Sequence, residues 1–191
     1  MRSIFLAIVL MQFSTLAIAE NTAQLEEQAK KLALQLGTQL KSRLKVAIEA
    51  GGPSNAITTC NVVAPQIAEE LSTGGWQVGR TSLKLRNPSN SPDEWERLTL
   101  LGFEQQLAAN VPAANLQNTT IESKHGESRY RFMKAILIDS VCLACHGEAI
   151  AADVQSVLAE KYPLDAATGY KAGELRGAFT ISKMLDKDNP D

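Results

Sequence analysis

Apolar residues recur at helical spacing through the first part of the chain. Leu25, Leu32, Leu36, Leu40, Leu44 and Ala47 make one stripe, flanked by Lys30, Lys31, Lys41 and Lys45, and predict a long helix over 21–50. Gly51-Gly52-Pro53 stops it, and Ser54 is placed to cap a second helix on Ile57, Cys60, Ala64, Ile67 and Leu71. Pro65 lies inside that second pattern and lacks an N–H, so a kink or break is expected there. Two helices joined by a short Gly-Pro link predict a helical hairpin.

The period then changes. Trp76, Val78 and Arg80 alternate, and Leu83 and Leu85 alternate on the other parity, which predicts strand structure with a bulge or break near Thr81-Ser82. Ser91-Pro92-Asp93-Glu94 reads as a capping box with proline at the first helical position, opening a helix to about Ala109. Residues 118–124 and 128–138 predict a hairpin turning at His125-Gly126. A short polar helix near 153–161 and a last strand around Phe179 and Ile181 complete the chain. The class is α+β: a small antiparallel sheet, an N-terminal helical hairpin and flanking helices.

The N-terminus adds a location. Arg2 is the sole charge of residues 1–19, an apolar run spans Ile4 to Met11, and the stretch ends Ala17-Ile18-Ala19. This is the pattern of a cleaved signal peptide, too interrupted by Gln12, Ser14 and Thr15 for a spanning helix; an uncleaved anchor is the competing interpretation. Cleavage leaves a single domain over 20–191, exported to a periplasm or equivalent compartment, with no membrane span. A net charge of −2 and the lack of a long basic block argue against a nucleic-acid partner.

Three cysteines and two histidines carry the candidate chemistry. Cys142-Leu143-Ala144-Cys145-His146 is the C-x-x-C-H of covalent c-type haem attachment: two thiols form thioethers to the vinyl groups, and the next histidine reaches the iron. Chance placement of these residues would produce the motif about once in two thousand sequences of this composition. A redox-active C-x-x-C disulfide and a zinc site compete, but there is no convincing βαβ context for the first and no second cysteine pair for the second. One covalent haem c is the expected cofactor. For the second axial ligand the residues leave His125, Met133, Met184, Cys60, a lysine or none, with Cys60 and Met133 leading on chemistry. Arg80, Lys84, Arg86 and Arg131 are candidate counter-charges for the propionates. Trp76, Trp95, Tyr130 and Phe132 are candidate pocket walls, with ordinary core filling as the alternative.

Four segments together resemble a known family. Thr58–Pro65, RTSLKLRNPSNSPDEWE from Arg80, RYRFMKAILIDSVCLACHGE from Arg129 and GYKAGELRGAFTIS from Gly169 are similar, in the same order, to PAS-like c-type haem domains. The resemblance implies a PAS-like sheet, Cys142 and Cys145 as thioether anchors, and His146 and Cys60 as axial ligands of one haem. Some members precede signalling modules such as histidine kinases. A closed Cys/His iron implies no enzyme activity. It implies a redox or small-gas sensor that passes its state to a signalling protein, or else a small electron-transfer cytochrome with a redox partner. Release of Cys60 with a hinge at Pro65 is the expected way for iron state to become shape.

Overall fold

The computed structural model describes the backbone of residues 2–185 and the side chains of residues 22–185. The expected export signal at 1–19 falls on residues whose side chains lie outside the described set. Helix α1 (Arg2–Leu71) has two arms, separated by non-helical torsions at Gly51 and Gly52. Gly52, at φ 74° and ψ −177°, needs a conformation that side chains disfavour, so glycine permits the turn. Leu25, Ala29, Ala33 and Leu36 of the first arm share one core with Ile67 of the second, as the expected hairpin requires.

Two local expectations about α1 change. Helical torsions resume at Pro53, so Ser54 lies in the first turn, and its hydroxyl donates to Asp153 Oδ2 at 2.6 Å. The helix also runs through Pro65 without a break. Pro65 is exposed while Ala64 and Ile67 are buried, so burial of the opposite face holds the helix across a missing hydrogen bond that faces solvent.

Four strands form one antiparallel sheet in the order β1-β4-β3-β2: β1 (Trp76–Thr81), β2 (Gln117–Lys124), β3 (Glu127–Leu137) and β4 (Leu175–Leu185). The β2–β3 hairpin turns on His125 and Gly126, both at positive φ, as a two-residue turn matched to strand twist requires. One face buries Trp76, Val78, Tyr130, Phe132 and Ile181 under α1. The other buries Met133 and Ala178 against Leu100 and Phe103 of α2 (Glu94–Ala108). Of the expected bulge or break near Thr81-Ser82 the break is what forms, and Leu83 and Leu85 do not extend β1. Ser82 leaves the ladder, its hydroxyl donating to the carbonyls of Lys84 and Arg176, and the chain turns to where the Leu85 carbonyl accepts the Ala166 amide. Helices α3 (Leu143–His146) and α4 (Ala152–Lys161) lie between β3 and β4 in sequence, and α4 packs on α1 through Ile57, Val154 and Leu158.

The cap of α2 sits two residues later than expected. Asp93, not Ser91, accepts the Glu96 amide, and Glu96 returns a carboxylate to the Asp93 amide. Both registers satisfy the capping pattern. Asp93 also pairs with Arg131 at 2.7 Å, a tertiary contact that no local pattern contains.

Candidate functional site

The C-x-x-C-H sequence forms a 3-10 turn, Ser140–Cys142, running into the single turn of α3. Asp139 starts it by accepting the Ser140 amide at 2.7 Å, and Gly147 ends it by donating to the Leu143 carbonyl. A Cβ on Gly147 would lie 2.6 Å from that carbonyl oxygen, so the tight exit needs glycine. Cys142 packs with Ile138, Ala167 and Tyr170, whereas Cys145 packs with Ile57 of α1 and Val154 and Leu158 of α4. All three thiols are half-buried and free.

The loop 162–170 holds the histidine. Tyr170 donates its amide to the His146 carbonyl and Gly169 to that of Gly147, zipping the loop to the motif. Ala167 accepts from His146 Nδ1 at 2.6 Å. A carbonyl can only accept, so the proton sits on Nδ1 and Nε2 carries the free lone pair. Arg86 Nη1 faces that nitrogen at 3.4 Å. Burial first, and then the charges of Arg86 and Arg176, push the His146 pKa down to about 3, so the ring is neutral near pH 7.

Arg86, Arg80, Arg176 and Lys84 gather around this turn. Arg86 binds Asp165 by Nε at 3.0 Å and Nη2 at 2.9 Å, and donates to the Cys145 carbonyl at 2.5 Å. Lys84 and Arg176 lie over the Tyr170 ring at 4.8 and 5.8 Å, and that ring meets His146 edge-on at 6.2 Å. Arg80, on the α1 face of β1, acts electrostatically on both Cys60 and His146. Burial pushes the Cys60 thiol up while Arg80 and Arg86 pull it down. Ile57 packs with Cys145, so the second helix arm reaches the motif more than eighty positions away. Among the described residues, no three His, Cys, Asp or Glu side chains converge on one point.

Other candidates are placed elsewhere. Met133 is fully buried in the α2 core on the opposite sheet face, Met184 is exposed near the end of β4, and His125 is exposed in the hairpin turn. Arg131, expected among the site cations, instead binds Asp93, Glu96 and Glu122 under α2. Trp76, Tyr130 and Phe132 are α1-side core and Trp95 stacks on Arg131, so none of the four candidate walls contributes a ring beside His146. Arg176, Tyr170 and Asp165 occupy the places that sequence reasoning assigned to others. The GYKAGELRG segment around two of them was the available signal. A groove of about 450 Å³ runs beside the motif between α4 and the 162–169 loop, lined by Gly147, Leu158, Tyr162 and Asp165 among others. Its size falls in the range of small-molecule sites, although Cys60 and His146 do not line it.

Comparison with known proteins adds two findings. A family model described as Tll0287-like: Tll0287 matches residues 16–183. The solved structure titled "Crystal structure of the cyanobacterial heme-protein Tll0287" matches with a TM-score of 0.57 at 23% identity, covering 89% of this chain and 98% of that one. At that identity the likeness shows the fold. None of the curated proteins compared matches the chain.

Proposed function

The chain belongs to the Tll0287-like family, and from that premise we propose that it is an exported c-type haem protein acting as a redox or small-gas sensor. Cys142 and Cys145 would hold one haem as thioethers, and His146 and Cys60 would be the ligands of its iron. The observation that supports this most is the packing of the second α1 arm on the C-x-x-C-H turn, where Ile57, three residues before Cys60, meets Cys145.

The residues present fit such a group. His146 offers a lone pair on Nε2, because Ala167 fixes the proton on Nδ1. Four cations ring the turn against a single bonded acid, Asp165, and so match two propionate carboxylates. Lys84, Arg86 and Arg176 are the suited partners, and Arg131 is withdrawn from that role by its own three acids.

Bound haem iron would supply a one-electron couple, which a thiolate ligand biases toward the oxidised form. The protein's own part is to hold and release Cys60. That residue sits on the second arm of α1, whose other end is the Gly51-Gly52 turn, so release frees an arm with a glycine hinge. This hinge takes the role expected of Pro65. The N-terminal hairpin and the C-terminal half are then tied through the site, and loosening the tie is the signal a partner protein reads.

Cys60→Ala tests the assignment. The variant should keep covalent haem, seen as haem staining of the denatured chain, and lose the thiolate absorption spectrum. An unchanged spectrum would remove Cys60 as a ligand. Redox titration of the parent with and without carbon monoxide or nitric oxide should show a ligand change. Constant ligation in both states would make the protein an electron carrier instead.

A further inference from the structure

The ligand set alone does not explain why Asp165 is buried beside the motif. Its side chain is 9% exposed and is the one acid bonded within the cation-rich region described above. Its two oxygens do different things. Oδ2 takes both Nε and Nη2 of Arg86, at 3.0 and 2.9 Å, and Oδ1 takes the Ala167 amide at 2.8 Å. The Ala167 carbonyl then receives His146 Nδ1 at 2.6 Å, and Arg86 Nη2 closes the circuit on the Cys145 carbonyl at 2.5 Å. Asp165, Ala167, His146, Cys145 and Arg86 thus form a closed ring of hydrogen bonds and one peptide bond. The ring is anchored from outside by the Ala166 amide on Leu85 O at 2.7 Å and the Asp165 amide on Tyr162 O at 3.0 Å.

We infer that Asp165 is a positioning residue for the axial histidine: its carboxylate aims the Ala167 carbonyl at His146 Nδ1 and pairs with Arg86, and in doing so sets the electron donation of the imidazole. The inference rests on His146 being an iron ligand, as proposed above. A short Nδ1–H···O=C bond makes a coordinated imidazole a stronger donor, which favours the oxidised metal. The negative charge of Asp165 acts in the same direction by offsetting Arg86. Both contributions therefore lower the reduction potential, and losing Asp165 must raise it.

A merely structural aspartate would affect folding without moving the couple, so the test reads both. Asp165→Asn keeps an oxygen for the Ala167 amide and loses the charge that holds Arg86. On the intact haem-loaded protein it should keep covalent haem and the parental absorption type. At a fixed solution potential it should shift the reduced-to-oxidised ratio upward by about tenfold, which is about 59 mV for one electron. Its ferric low-spin EPR signal should also change. Asp165→Glu retains the charge but cannot span both Arg86 and the Ala167 amide, and should shift the couple the same way by less. It keeps the question answerable where the Asn variant does not fold. A parental potential and EPR signal in whichever variants fold, with only a lower Tm, would overturn the inference. Haem staining of the parent and the absorption spectrum of His146→Ala report separately on the haem and on the histidine as its ligand, so the two failures are distinguishable.

Discussion

Two arginine-centred clusters lie in different parts of the molecule, and they are built on opposite rules. Under α2, buried Arg131 meets three carboxylates, Asp93, Glu96 and Glu122, and stacks on Trp95 at 4.4 Å. Around the C-x-x-C-H turn lie Arg80, Lys84, Arg86 and Arg176, of which, among the described residues, Arg86 alone is bonded to an acid, Asp165. The first cluster is saturated from within and can do nothing but hold α2 to the strands. The second leaves positive charge unanswered in a half-buried place, which a fold tolerates only where something anionic comes to meet it. That imbalance separates a structural ion network from a binding site, although the residue types are the same.

The largest expected effect that tests this contrast is on the site side. Changing both Cys142 and Cys145 to Ser should abolish haem staining of the denatured chain completely while leaving the Arg131 cluster intact. Haem that stays attached would refute the thioether assignment. Next, Arg131→Ala strands three acids around a hole in the α2 interface. It should cost about 3–5 kcal/mol in chemical denaturation, with the haem spectrum of the surviving protein unchanged. The equivalent change on the other side, Arg80→Gln, removes a cation that has no hydrogen-bonded acid among the described residues. Stability should stay within about 1 kcal/mol of the parent or rise. The potential should fall, because a nearby positive charge favours the reduced iron. A large loss of stability there would erase the contrast.

The smallest effect is in acid. Burial pushes Asp93 and Glu122 up, but hydrogen bonds outweigh it: the Glu96 amide and Arg131 for Asp93, Arg129 and Arg131 for Glu122. Both pKa values lie below the ordinary carboxylate range, so their stabilising contribution is complete above pH about 4 and fades as pH falls through the folded values. Denaturation midpoints at pH 7 and pH 3 should differ more for the parent than for Arg131→Ala.

The site was partly legible because part of it is local. C-x-x-C-H needs only a turn of helix, so its spacing is readable in one dimension, and the long amphipathic arms of α1 were equally clear from their period. Met133 and Arg131 misled for a single reason. On a strand, one step in register sends a side chain to the other face, and β3 directs Tyr130 and Phe132 toward α1 but Arg131 and Met133 toward α2. Asp165 and Arg176 had no local signal of their own, because a lone aspartate in a loop and an arginine in a strand look like surface residues until the chain closes around them.

The sequence by itself determined the α+β class, the helical hairpin, the hairpin strands and the C-x-x-C-H turn, since each follows from periodicity or spacing within a few residues. Tertiary structure decided which arginines are paired with acids and that α1 continues through Pro65. Those outcomes depend on strand parity, on the direction in which Ser82 leaves the sheet, and on contacts between residues eighty or more positions apart. Charge balance is a property of a volume, and a chain has no volume until it folds.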